Sequence, residues 1–186
     1  MGELRADARR NRERILDVAR VVVREQGTQA SLRDVARRAE VGLGTLYRHF
    51  PSRDALLDQL MRRRFDHLTL RAAALAEQHD PARALETWLI EFAYGAGAYQ
   101  GLPASIMATL ADENSPLYSS CDAMRNAGGA LLASAQKSGK IRPDLTAAEL
   151  FALVNAVAWT SEAAPELEER ERLLQLVVEG LRAQPV

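Results

Sequence analysis

The sequence predicts an all-α protein, and three observations carry that prediction. Apolar residues recur at the spacing of a helix face along most of the chain. No segment shows the clean apolar/polar alternation of a half-buried strand. Aromatic residues make up only 5% of a chain that is 47% hydrophobic, so Ala and Leu supply much of the apolar mass and favour helix. The 186 residues suffice for one core, or for one core with a small satellite domain.

Ile15, Val18, Ala19, Val22 and Val23 line one side of a first helix, and Gly27 stands where a C-terminal glycine cap belongs. Ser31 to Asp34 reads as a capping box opening a short second helix that carries Val35, Ala36 and Ala39. Val41-Gly42 breaks it, and a third short helix runs from about Leu43 to His49. Phe50-Pro51-Ser52 is a break followed by a cap, after which a long helix carries Leu56, Leu57, Leu60, Met61, Phe65 and Leu68. Asp80-Pro81 opens the next, with Leu85, Trp88, Leu89 and Phe92 on one side. Gly101 to Pro103 ends it and admits a short segment through Leu110. Asn114 to Pro116 starts a helix reaching about Lys137, and Ser138 to Pro143 is a loop. Thr146 to Glu149 is a second capping box, ahead of Leu150, Leu153, Val154, Val157 and Ala158. Pro165 suits the first turn of a last helix bearing Leu173, Leu174, Val177 and Leu181. About nine helices and no sheet are expected, divided into an N-terminal domain over 1–52 and a helical domain over 53–186.

The net charge of −1 hides an asymmetry. Residues 1–64 hold 15 Arg against 9 acidic residues, a balance of +6, and the remainder carries −7. A basic end on an acidic body points to a polyanionic partner for that end alone. The single Cys121 excludes an internal disulfide and favours a reducing compartment. No apolar run reaches the ~18 residues of a membrane span, and the charged start MGELRADARRNRER lacks the apolar stretch of a secretory signal. A cytoplasmic protein with no membrane association is expected. His49, His67 and His79 are scattered, and Cys121 has no ligand partner at useful spacing, so no metal site is expected. No nucleophile elbow, phosphate loop or zinc signature is present, which argues against an enzyme and against a cofactor. The competing readings are a small helical hydrolase without a recognisable motif and an adaptor whose basic end binds without reading sequence.

Three short helices near the N-terminus, two of them separated by a tight turn, make a helix-turn-helix over about 31–50. Its second helix must be slim enough to enter a major groove. The stretch VGLGTLYRHF over 41–50 meets that need: Gly42 and Gly44 add little bulk, and Thr45 and Tyr47 offer hydroxyls to phosphate or base edges. Arg48 and His49 add charge or donors, while Leu46 and Phe50 turn inward and lock the helix in place.

The run SLRDVARRAEVGLGTLYRHFPSRDALL over 31–57, with RERILDVARVVVREQG before it, resembles the TetR family of regulators, over about residues 9–60. Beyond residue 65 the resemblance is architectural only. It implies that Ser31 caps the second helix and that Arg33 reaches a phosphate or flanking base. It also implies that Leu43, Gly44 and Thr45 face base edges, that Tyr47 and His49 touch the sugar-phosphate backbone, and that Arg53 binds phosphate. The family often carries a polar base reader at position 43. Leu43 offers only apolar contact, as with a thymine methyl, which shifts base reading toward Arg33 and toward Arg48, whose fork matches guanine. Arg5, Arg9, Arg10 and Arg12 form a basic arm suited to the DNA backbone or a minor groove.

The resemblance further implies a homodimer on an inverted-repeat DNA operator and a small-molecule effector, most simply in a ligand-responsive repressor. Leu150, Val154, Val157, Leu173, Val177 and Leu181, on the last two helices, are the candidate dimer interface; the alternative is that these stripes pack into the chain's own core. Trp88, Phe92, Tyr94, Tyr99, Met107, Tyr118, Met124 and Trp159 are candidates for a ligand cavity, with Asn155 and Thr160 as polar groups. Aromatic residues at helical spacing also serve as plain core. The mostly apolar set leans toward a hydrophobic or amphipathic ligand.

Overall fold

The computed structural model describes residues 2–96, 101–160 and 167–183. Nine α-helices are found among them: α1 (Gly2–Gln26), α2 (Leu32–Arg38), α3 (Leu43–His49), α4 (Arg53–Gln78), α5 (Pro81–Ala96), α6 (Ala104–Ala111), α7 (Pro116–Lys137), α8 (Ala147–Thr160) and α9 (Leu167–Gly180). A single 3-10 turn, Gly27–Gln29, follows α1. The all-α expectation holds. Pro165 lies outside the described residues.

The chain forms two compact bodies: Met1–Arg64 with Ala98–Ser119, and Phe65–Gly97 with Ser120–Val186. The sequence boundary at 52/53 falls inside the first of them. Physically this follows from the start of α4, where Leu56, Leu57, Leu60 and Met61 are all buried and Arg63 pairs with Glu13 and Asp17 of α1 at 3.2 and 3.1 Å. α4 continues unbroken into the second body, so no linker marks the division.

In the first body α1 packs on α2 and α2 on α3. Ile15, Ala19, Val22, Val35, Ala36, Leu46 and Phe50 form the core. Gly27, at φ +70°, ends α1 in the left-handed conformation that glycine adopts without steric cost. Buried Thr28 donates its hydroxyl to the Gly101 carbonyl at 3.0 Å, and Ser105 of α6 donates to Asp54. The expected basic arm is helical. Arg5, Arg9, Arg10 and Arg12 continue α1 as helix, because Leu4, Ala6, Ala8 and the arginines are good helix formers and Arg10–Asp7 and Arg14–Asn11 close i,i+3 pairs along it. Arg12 is tied down further, bonded to Gln59 and lying 5.6 Å over the Phe50 ring.

In the second body α5 packs on α8 and α8 on α9. Its centre is a ring cluster: Trp88 stacks on Phe92 at 5.5 Å, and Phe151 meets both edge-on. The Trp88 indole N–H donates to the Leu68 carbonyl at 2.8 Å, so the buried ring leaves no donor unpaired. Thr146 and Glu149 form the complete capping box, each side chain accepting the other's backbone N–H at 3.2 and 2.8 Å. Arg71 grips Glu91 with two nitrogens, and this holds the Glu91 carboxyl below its usual range. A short antiparallel bridge pairs Ile141 with Arg182, fixing the end of the described chain to the loop after α7.

Gly128 and Gly129 are neighbours on α7 with opposite surroundings. A Cβ at Gly128 would sit 2.6 Å from the Trp88 ring and 2.9 Å from Phe151; one at Gly129 meets only Ala147 at 3.7 Å. The Trp88 ring is fixed by its hydrogen bond and its stacking, so it cannot yield. Gly128→Ala is expected to destabilise the protein by about 1–3 kcal/mol despite its better helix propensity. Gly129→Ala should stabilise it by up to ~1 kcal/mol. Chemical denaturation of the pair reads the opposite signs.

Candidate nucleic-acid interface

α3 has the length and bounds the sequence predicts, and its two inward residues are the reason. Leu46 and Phe50 are 0% and 1% exposed, packed in a body where α2 contributes Val35, Ala36 and, just past its end, Ala39. The opposite face of α3 stands free: Gly44 and Arg48 are exposed and Tyr47 is 46% exposed. Leu43, Thr45 and His49 are half-buried. Around Gly44 no atom lies within 4 Å of where a Cβ would be, so the helix surface is low and open there.

The turn between α2 and α3 rests on Glu40, the one described non-glycine residue in the left-handed region, at φ +52°. The Val41 N–H then bonds the Ala36 carbonyl at 3.0 Å. Gly42 begins α3 without a side-chain cap. At the start of α2, Ser31 caps as expected, its hydroxyl accepting the Asp34 N–H at 3.4 Å. The return half of the predicted capping box is absent. Asp34 is one methylene shorter than the Glu such a box uses, and its carboxylate turns instead to Arg37 and Arg38 at 2.6 and 2.9 Å. Gln26 replaces it, accepting the Ser31 N–H at 3.3 Å and donating to Asp34 at 3.0 Å. The Arg37 guanidinium holds the Asp34 carboxyl below the usual carboxylate range.

Some of the fifteen arginines in residues 1–64 are held by carboxylates and others are not. Arg10, Arg12, Arg37, Arg38 and Arg63 each have a carboxylate partner. Arg33, Arg48 and Arg53, which the resemblance marks for DNA, have none among the described residues, and neither do Arg9, Arg14, Arg20, Arg24 and Arg62. Arg33 is exposed on α2. Arg48 folds back along α3 onto Thr45 and the Gly44 carbonyl at 3.0 and 3.3 Å. Arg53 opens α4, held by Gln29 at 2.9 Å, where Ser52 caps the helix by accepting the Ala55 N–H at 3.1 Å. Gln26 and Gln29 are thus the residues that sequence reasoning missed. Their roles depend on contacts across the fold, for which no local motif exists.

The candidate ligand and dimer residues divide. Trp88, Phe92 and Met124 are buried, and the first two are held in the ring cluster just described. Met107 is 54% exposed on α6, and Tyr94 is exposed as well. Tyr118 and Asn155 are half-buried. Tyr99 and the side chains of Trp159 and Thr160 lie outside the described residues. A cavity of about 570 Å³ in the second body is bounded by Ile90, Leu174, Val178, Glu86, Glu179 and Arg182, and by none of those candidates. Leu150, Val154 and Leu181 are at most 4% exposed within the single chain, which leaves them no surface for a second copy. Val157, Leu173 and Val177 are half-buried. Leu153 and Leu176, outside the candidate interface, are 44% and 53% exposed on α8 and α9.

A short helix clamped by a preceding helix across a tight turn, with its outer face bare, defines a helix-turn-helix protein. Residues 15–60 match the family profile described as bacterial regulatory proteins, tetR family. Residues 80–183 match the profile of the SbtR-like transcriptional regulator C-terminal domain. The chain belongs to the TetR family of transcriptional regulators. The second match extends the family likeness through a region where the sequence offered only architecture.

A TetR regulator from Streptomyces coelicolor is 36% identical with a TM-score of 0.75, covering 94% of this chain and 99% of that one. Another from Mycobacterium vanbaalenii is 30% identical with a TM-score of 0.66, covering 97% and 99%. The transcriptional repressor KstR of Mycolicibacterium smegmatis is 42% identical over 78 residues, which is 40% of this chain and 38% of that protein. The chain thus spans well under half the length of the curated relatives it matches. No described helix is long and apolar enough to cross a membrane.

The left-handed Glu40 costs the turn about 1–2 kcal/mol that glycine would not incur. Glu40→Gly is therefore expected to stabilise the protein by about 1 kcal/mol, read as a raised thermal midpoint. An unchanged or lowered midpoint would show that the turn carries no such strain.

Proposed function

We propose that this protein is a homodimeric, ligand-responsive repressor that reads an inverted-repeat operator in double-stranded DNA, in the cytoplasm. One observation carries the reading. The bare face of α3 presents Gly44, Tyr47 and Arg48 on a helix locked from behind by Leu46 and Phe50, in a body whose carboxylates leave Arg33, Arg48 and Arg53 uncommitted. Leu43 and Thr45 flank the groove-facing edge, while Ser31 and His49 frame it. The assignment as repressor draws on the name of the KstR relative. The first body, with the start of α4 and Arg53, supplies the reading head, and the second supplies sensing and dimerisation.

A single recognition helix spans too few base pairs for useful specificity. A two-fold dimer places two of them ~34–36 Å apart, or a multiple of it, over a palindrome. Leu153 on α8 and Leu173, Leu176 and Val177 on α9 form the apolar surface best suited to that pairing. Sensing belongs to the second body, where the cavity offers apolar walls in Ile90, Leu174 and Val178 and polar groups in Glu86, Gln175 and Arg182. An effector acts by binding the DNA-incompetent conformation more tightly than the competent one.

Selection from random duplexes should enrich an inverted repeat; an adaptor that does not read sequence would enrich nothing. Arg48→Ala should then lower specific binding by ~1–3 kcal/mol and flatten the preference at one base pair. Tyr47→Phe should weaken every sequence about equally. A binding profile left unchanged by Arg48→Ala would remove Arg48 from the base readers. Sedimentation of the double variant Leu153→Glu, Leu176→Glu should show monomers at concentrations where the parent is a dimer. Intact dimers would move the interface elsewhere.

A further inference from the structure

Building on the regulator reading, on which it rests, we propose that Thr45 is the positioning residue of Arg48 and not itself a reader of bases. The Arg48 Nη2 donates to the Thr45 hydroxyl at 3.0 Å and its Nε donates to the Gly44 carbonyl at 3.3 Å. Nε–H and the adjacent Nη2–H form one side edge of the planar guanidinium, and both are committed to α3. The end edge, made by Nη1 and the second Nη2 hydrogen, stays open. That edge is the fork whose spacing matches the O6 and N7 acceptors of guanine.

Arg48 is exposed and lacks a carboxylate partner among the described residues. Among the described residues, these two bonds order a side chain that would otherwise sample many rotamers. Ordering it before the encounter removes a cost that binding would otherwise bear. The Gly44 carbonyl is backbone and survives any substitution there. The Thr45 hydroxyl is the half of the anchor that sequence determines. Thr45 is itself half-buried, which suits a supporting role better than a projecting one.

The test uses the full-length protein on the inverted repeat enriched from random duplexes, with single-base-pair variants of that duplex. Thr45→Val keeps the shape and removes the hydroxyl; Thr45→Ser keeps the hydroxyl. Thr45→Val should weaken binding about two- to tenfold, the size expected when one side chain must be ordered on binding. It should lose discrimination at the same base pair that Arg48→Ala flattens. Thr45→Ser should keep the parental profile, and adding Thr45→Val to Arg48→Ala should cause no further loss. Additive losses, a changed preference at a different base pair, or a uniform loss across all sequences would overturn the inference while leaving the regulator reading intact. Failure of the parent protein to enrich any duplex would overturn both.

Discussion

The burial of two side chains, Leu46 and Phe50, is what the functional surface depends on. α3 is seven residues long, and an isolated helix needs roughly 12–15 residues to be even marginally stable in water. Its shape is therefore borrowed from the packing behind it. Each fully buried anchor is worth about 1.5–3 kcal/mol, enough together to outweigh the left-handed Glu40 in the turn and the missing side-chain cap at Gly42. Because the anchors hold the helix from one side only, its other side is free to carry small and charged residues that contribute nothing to the core.

Electrostatics follow the same division. The positive balance of the N-terminal third is not spread evenly over its surface. Carboxylates on α1 and α2 hold Arg10, Arg12, Arg37, Arg38 and Arg63. Exposed pairs of this kind contribute little to stability, and their effect is better seen as sorting. They hold five arginines on the scaffold, while Arg33, Arg48 and Arg53, like Arg9, Arg14, Arg20, Arg24 and Arg62, have no carboxylate partner among the described residues. The uncharged amides of Gln26 and Gln29 then fix the entry to α2 and the start of α4 without neutralising any of that charge.

The short elements were legible in the sequence because local punctuation sets their ends. Val41-Gly42 and Phe50-Pro51 bracket α3, and the Thr146–Glu149 pair opens α8 as its spacing requires. Legibility failed where the deciding contact lies far along the chain or depends on one methylene. Ser31 and Asp34 have capping-box spacing, yet Asp34 is too short, and Gln26, five residues before Ser31 and across the break between helices, completes the cap. Periodicity marks an apolar stripe but not what covers it. Trp88 and Phe92 read as pocket wall or, more often, as core; both are buried, and the missing Cβ of Gly128 admits the indole edge. Leu150 and Val154 share a helix with Leu153 and differ from it only in direction. The basic start continues α1 as helix, which charge density alone does not reveal.

All fifteen cationic side chains in residues 1–64 are arginines; the two lysines, Lys137 and Lys140, lie at the end of α7 and just beyond it. Guanidinium groups stay protonated through any pH a cell reaches, and acetylation, the common way to erase a positive charge, acts on amines. The attraction of the N-terminal region for an anionic polymer is thus built from permanent charge. Enzymes that silence lysine side chains have none to act on among residues 1–64.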